Sequence, residues 1–134
     1  MIEIPFVLVD SNVIIDIVRR EERWVEWSLD ALSRFEEARV NPIIYAELCY
    51  QHTSPTEVDY LLRRLALGYQ ELPREALYLA SQAFRNYRKS GGIKSSPLPD
   101  FFIGAHAAAM GVPLFTRDVS RYQTYFPSVP LICP

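Results

Sequence analysis

Apolar and polar positions along the chain fall into short blocks whose period switches repeatedly between strand-like and helix-like. Ile4 to Val9 is an apolar run rich in β-branched residues, which predicts a buried strand. It ends at Asp10, and a helical pattern follows through Asn12 to Arg20. A second helix is predicted from Arg23 to Ala38, with Val25, Leu29, Leu32 and Phe35 near one face. A strand around Arg39 to Asn41 and a helix from Ile43 to His52 come next. Pro55 opens a further helix over Thr56 to Leu67, which Gly68 is expected to close, and Tyr69 to Leu72 reads as a strand. Ala76, Ala80, Ala83, Phe84 and Tyr87 make one stripe of a helix spanning Arg74 to Lys89. The segment SGGIKSSPLP is the clearest loop by its Gly, Ser and Pro content. Beyond it lie a nearly all-apolar helix from Asp100 to Met110 ended by Gly111, a strand from Val112 to Phe115, a short helix from Val119 to Tyr125, and a last strand from Val129 to Ile132. Strands alternating with helices imply an α/β fold with a parallel sheet covered on both faces. Chemistry in such folds collects at the carboxyl ends of the strands.

Composition narrows the classes. A chain of 134 residues without repeats or a long linker reads as one domain, residues 1–134, large enough to bury a core. Its 49% hydrophobic and 13% aromatic content excludes disorder. No apolar run approaches the ~20 residues of a membrane-spanning helix. The start, MIEIPFVLVD, has neither a basic region nor a small-residue cleavage site, so no secretory signal is expected. Cys49 and Cys133 form neither a disulfide framework nor a zinc pattern. A cytoplasmic location away from membranes is expected. The net charge of -2 means that any nucleic-acid partner must be held by local basic patches or by metal ions.

Four acidic residues carry the candidate chemistry. Asp10 follows the strand FVLV, and Asp118 follows VPLF in the tripeptide Thr116-Arg117-Asp118, so both emerge at the carboxyl edge of the sheet. Asp100 opens the helix DFFIGAHAAAM, and Glu47 is the one charge between Asn41 and His52. Simpler readings exist: Asp100 as a helix N-terminal charge, Asp118 as an N-cap, Asp10 as a cap or turn residue. Glu47 is harder to explain so, because a charge in an apolar helix is rarely buried alone. Converging carboxylates would repel one another and raise their pKa values unless a cation joined them. Oxygen ligands without a His/Cys cluster suit Mg2+ or Mn2+ rather than zinc, and such clusters are typical of phosphodiester hydrolysis with one or two ions. Ile103, Gly104 and Ala107 share a face of the Asp100 helix, which is expected to let it approach the sheet closely and bring Asp100 towards Asp10.

The segments VLVDSNVIID, NPIIYAEL, SPLPDFFIGAHA and VPLFTRD occur in an order and spacing that resemble the PIN-domain family, and most closely its VapC toxin ribonucleases. The resemblance runs from about Phe6 to Ile132. It implies a three-layer α/β/α sandwich around a parallel sheet of four to five strands, and metal-dependent endonucleolytic cleavage of RNA. It assigns Asp10, Glu47, Asp100 and Asp118 as the catalytic, Mg2+- or Mn2+-holding cluster, and Ser11, Asn12 and Thr116 as polar residues that orient Asp10 and the hydrolytic water. It further implies a cognate antitoxin, membership of a type II toxin–antitoxin module, and a homodimer.

Arg85, Arg88, Lys89 and Lys94 precede Asp100, and Arg117 and Arg121 flank Asp118; these cations are expected to guide RNA phosphates. Trp27, roughly opposite the Val25, Leu29 and Leu32 face, reads either as an antitoxin contact or as a ring covered by another element. His52 and His106 lack metal or triad spacing and read as structural. Two other functions remain open. A receiver or aspartyl-phosphate phosphatase needs a lysine near a later strand end, and a phosphatase of that type also needs an Asp where Asn12 stands. A non-catalytic RNA-binding or scaffold domain would not require all four acids.

Overall fold

The computed structural model describes residues 5–94 and 98–134. Five parallel strands form one sheet: β1 (Val7–Val9), β2 (Ala38–Val40), β3 (Leu67–Tyr69), β4 (Leu114–Phe115) and β5 (Leu131–Ile132). Seven helices connect them among the described residues: α1 (Ser11–Arg19), α2 (Val25–Ser33), α3 (Pro42–Tyr50), α4 (Pro55–Arg64), α5 (Arg74–Lys89), α6 (Pro99–Met110) and α7 (Ser120–Tyr125). The result is the α/β sandwich expected. The first predicted strand begins at Ile4, which lies outside the described residues, as do Ser95, Ser96 and Pro97 of the predicted loop.

Strand order is β3-β2-β1-β4-β5. The chain therefore moves outward from β1 in one direction for two strands, then returns to the other side of β1 for β4 and β5. The switch falls between β1 and β4, the place where loops diverge and leave a crevice at the carboxyl ends. Val7, Leu8 and Val9 of β1 are fully buried, as a central strand covered on both faces requires. Ala76, Ala80 and Ala83 form the buried stripe predicted for α5, and it packs along α6. Phe84, Tyr87, Phe101 and Tyr125 continue that contact as an aromatic cluster.

Several boundaries differ from expectation. The second helix stops at Ser33 rather than continuing to Ala38, because Ala38 pairs with Val7 in the sheet. Its inner face is also different: Ser28, Ala31 and Leu32 are buried, whereas Leu29 is 45% exposed. Trp27 is not free surface, since its ring lies 5.1 Å from that of Phe115. The fourth helix ends at Arg64, and the turn is made by Ala66 at φ 56, not by a glycine. Gly68 belongs instead to β3, beside the Arg39 side chain. Gly111 does close α6 as predicted, at φ 65, with Val112 N–H donating to Ala107 O at 3.0 Å. Gly104 faces the ring of Phe126 rather than the sheet: a Cβ there would lie 2.3 Å from the ring.

Candidate active site

The crevice beside β1 and β4 gathers the predicted acids. Asp10 directly follows β1 and is only 3% exposed. It caps α1, its Oδ1 accepting from Ser11 N–H at 2.8 Å, so the simple capping role and a place in the acidic cluster coincide in one residue. Its Oδ2 accepts from Thr116 Oγ1 at 2.9 Å, Tyr122 Oη at 3.0 Å and Asn12 Nδ2 at 3.3 Å. The Thr116 proton is committed to this bond. Thr116 Oγ1 already accepts from Asn12 Nδ2 at 3.2 Å and from the Asp118 N–H at 3.0 Å, which leaves its own hydrogen for Asp10. Oδ1, with one protein donor, retains acceptor capacity.

Glu47, half-buried on α3, accepts from Ser11 Oγ at 3.0 Å. Asp100 sits in the first turn of α6, its Oδ1 3.4 Å from Tyr122 Oη and its Oδ2 3.8 Å from Arg121 Nε. Asp118 is exposed and precedes α7 without capping it, since the N-cap position is held by Val119 with no side-chain bond. Asp10, Glu47 and Asp100 thus come near one another from separate parts of the chain, and Asp118 lies close enough to Asp100 to act on its charge.

Their electrostatics follow from burial and proximity. Burial pushes the Asp10 carboxyl up to about 6; bonds from Thr116 and Tyr122 oppose this, and Asp100 adds to it. Burial likewise raises Glu47, against the Ser11 bond and with help from Asp10 and Asp100. Asp100 is raised by burial and by Asp118, with Arg121 and Tyr122 acting the other way. Arg121 is the one cation among these causes. The cluster is anionic, with too little positive charge of its own.

The other predicted residues are distributed unevenly. Asn12 joins the Thr116 loop to α1, its Oδ1 accepting from Arg117 N–H at 3.1 Å. Arg117, though part-exposed, turns its guanidinium to a protein partner. It forms a two-point ion pair with the buried Asp16 of α1, one arm being Nη2 to Oδ1 at 2.9 Å, and lies over the Trp24 ring. Arg88 donates to the Lys94 carbonyl at 2.8 Å and so braces the loop after α5. Arg85, Lys89 and Lys94 are exposed. Tyr122 was missed from sequence, where it reads as one more aromatic of the short helix Val119 to Tyr125.

His106 and His52 lie outside the cluster's hydrogen bonds. His52 Nδ1 is 2.8 Å from Leu48 O. His106 is fully buried, and its protonation is fixed by Asn41: Asn41 Oδ1 accepts from Ile44 N–H at 2.8 Å, so its amide donates to His106 Nδ1 at 3.1 Å. The remaining hydrogen sits on Nε2, which has no partner among the described residues. Burial accordingly pushes the His106 pKa down to about 4. Unfolded, the same imidazole titrates near 6.5, so between those values only the unfolded chain takes up this proton. Stability from His106 is therefore intact above about pH 6.5 and declines by about 3 kcal/mol as pH falls to 4. Asp10, with its raised pKa, contributes in the opposite sense over an overlapping range. Urea unfolding of wild type beside His106→Gln at pH 7, 5.5 and 4.5 isolates the histidine. The variant should gain on wild type steadily toward acid, and a constant difference would refute the assignment.

Residues 7–126 match the PIN-domain family profile. The chain belongs to the PIN-domain family. No curated protein matches it. Among solved structures, this PIN domain is similar to VapBC-1 from nontypeable Haemophilus influenzae at 17% identity and a TM-score of 0.71, covering 96% of this chain and 97% of that one. It is also similar to VapBC2 from Rickettsia felis bound to a promoter DNA fragment, at 16% identity and a TM-score of 0.70, covering 96% and 98%. FitAcB from Neisseria gonorrhoeae aligns at 24% identity and a TM-score of 0.64, covering 94% and 96%. At these identities the likeness establishes a shared fold. No helix among the described residues is long and apolar enough to cross a membrane.

Proposed function

We propose that this PIN domain is a metal-dependent endoribonuclease and the toxin of a type II toxin–antitoxin pair, with Asp10, Glu47, Asp100 and Asp118 holding Mg2+ or Mn2+. The observation that carries the reading is the convergence of the buried Asp10 with the part-buried Glu47 and Asp100 in an under-neutralised cluster at the β1–β4 switch. The resemblance to VapBC and FitAcB assemblies over nearly the whole chain supports an antitoxin partner.

The donor set fits a hard divalent cation: all four groups are carboxylates, and burial with mutual repulsion favours any ligand that supplies positive charge. Among the described residues, no three Asp, Glu, His or Cys side chains already surround a common ion position. Binding therefore involves adjustment of Glu47 and the exposed Asp118 towards Asp10 and Asp100. Once bound, such an ion supplies an activated water and stabilises the leaving oxygen of a phosphodiester.

The chain's own residues do the rest. Thr116 and Asn12 hold Asp10 in one orientation, Ser11 links it to Glu47, and Arg121 offers a guanidinium beside Asp100 for a phosphate oxygen. The exposed cations of the α5 end, Arg85, Lys89 and Lys94, extend that positive surface, while Arg117, bound to Asp16, holds the Thr116 loop. The test incubates purified protein with structured RNAs in Mg2+ or Mn2+ and in EDTA. Cleavage is expected only with metal, and cleavage that survives EDTA would exclude the mechanism.

A further inference from the structure

We infer that Tyr122 is a positioning residue that ties Asp10 to Asp100 and fixes the spacing at which the cluster takes up its cation; this rests on the reading that these acids hold a divalent ion. Tyr122 lies on α7 and is fully buried, and its hydroxyl is 3.0 Å from Asp10 Oδ2 and 3.4 Å from Asp100 Oδ1. Asp10 and Asp100 come from different elements, the end of β1 and the start of α6, and no other side chain among the described residues hydrogen-bonds both. A buried hydroxyl costs stability unless it is bonded, so packing alone would be served equally well by phenylalanine. The hydroxyl is accounted for only by the two carboxylates.

The neighbouring residue completes the device. Arg121 reaches Asp100 Oδ2 at 3.8 Å, so consecutive residues of α7 engage the two oxygens of Asp100, one through a neutral donor and one through a cation. The phenol has a single hydrogen, which it shares as a three-centre donor between Asp10 Oδ2 at 3.0 Å and Asp100 Oδ1 at 3.4 Å, the shorter bond being the one to Asp10. Removing the hydroxyl frees two like-charged groups to separate. Partners that orient a metal's ligands are worth about 10–100-fold in affinity.

The experiment measures Mn2+ binding by titration calorimetry on the whole protein, wild type and Tyr122→Phe, alongside melting of both without metal and cleavage as a function of Mn2+. The variant keeps the ring. It should melt within a few degrees of wild type, bind Mn2+ about tenfold more weakly, and need correspondingly more Mn2+ for half-maximal cleavage, with KM for RNA unchanged. Equal or tighter Mn2+ binding would overturn the inference. So would a variant that fails to fold, since the hydroxyl would then be a folding determinant. Wild type that binds no Mn2+ at all would instead remove the proposed function beneath it, and the inference with it.

Discussion

Asp10→Asn is expected to lower metal-supported RNA cleavage by about 10^3-fold or more, the scale of loss when one member of a cooperating catalytic set is removed. The fold should survive, because asparagine has the same shape and can still accept from Thr116 and Tyr122 through its carbonyl oxygen. Stability offers a second readout. With its pKa raised from 3.8 to about 6, the wild-type carboxylate is ionised at pH 7.5 in a place that disfavours the charge. That ionisation costs the metal-free fold about 3 kcal/mol, and the cost disappears as pH falls through 6 towards 3.8. Asparagine does not incur it, although its amide group loses part of the bonding that the second carboxylate oxygen supplied. Metal-free Asp10→Asn should therefore melt no lower than wild type at pH 7.5, while added Mg2+ raises the melting temperature of wild type alone. Cleavage retained in a folded variant, or an equal Mg2+ shift in both proteins, would contradict the role given to this residue.

Arg117→Ala should destabilise the protein by about 2–3 kcal/mol. Asp16 has a side chain only 7% exposed and is held by both arms of the guanidinium, so the substitution strands a buried carboxylate. The Arg117 side chain is 34% exposed, which places the loss below that of a fully enclosed pair. Removing the partner as well, in Arg117→Ala with Asp16→Asn, should recover much of the loss in urea unfolding, as a double-mutant cycle requires of a genuine pair. This separates two roles. If Arg117 served RNA phosphates, the single variant would keep its stability and show a shallower salt dependence of RNA binding.

Four of the strands and three of the acids were legible because each sat against a sharp change of pattern: Asp10 after an unbroken apolar run, Glu47 alone in an apolar helix, Asp100 after the Pro-rich loop. The third strand lies at Leu67–Tyr69, earlier than the expected Tyr69 to Leu72. What sequence hid was tertiary. Helical propensity continues past Ser33, and only the pairing of Ala38 with Val7 ends α2 early. Gly68 looked like a helix stop, yet Ala66 accepts the left-handed turn and leaves the glycine to the sheet. Arg117 resembled a phosphate contact because its partner Asp16 is 101 residues away. Tyr122 resembled an ordinary core aromatic, and nothing local marks a phenol whose partners belong to β1 and α6.

The bonds that orient Asp10 reach far along the sequence, to Thr116 at a separation of 106 positions and to Tyr122 at 112. A chain synthesised only as far as β3 contains Asp10 and Glu47, but it lacks the Thr116 and Tyr122 hydroxyls that aim the first and the Asp118 that joins them. If the protein is the toxin proposed, its harmful activity is withheld until Thr116, Asp118 and Tyr122 have been made, and products truncated before them are born harmless.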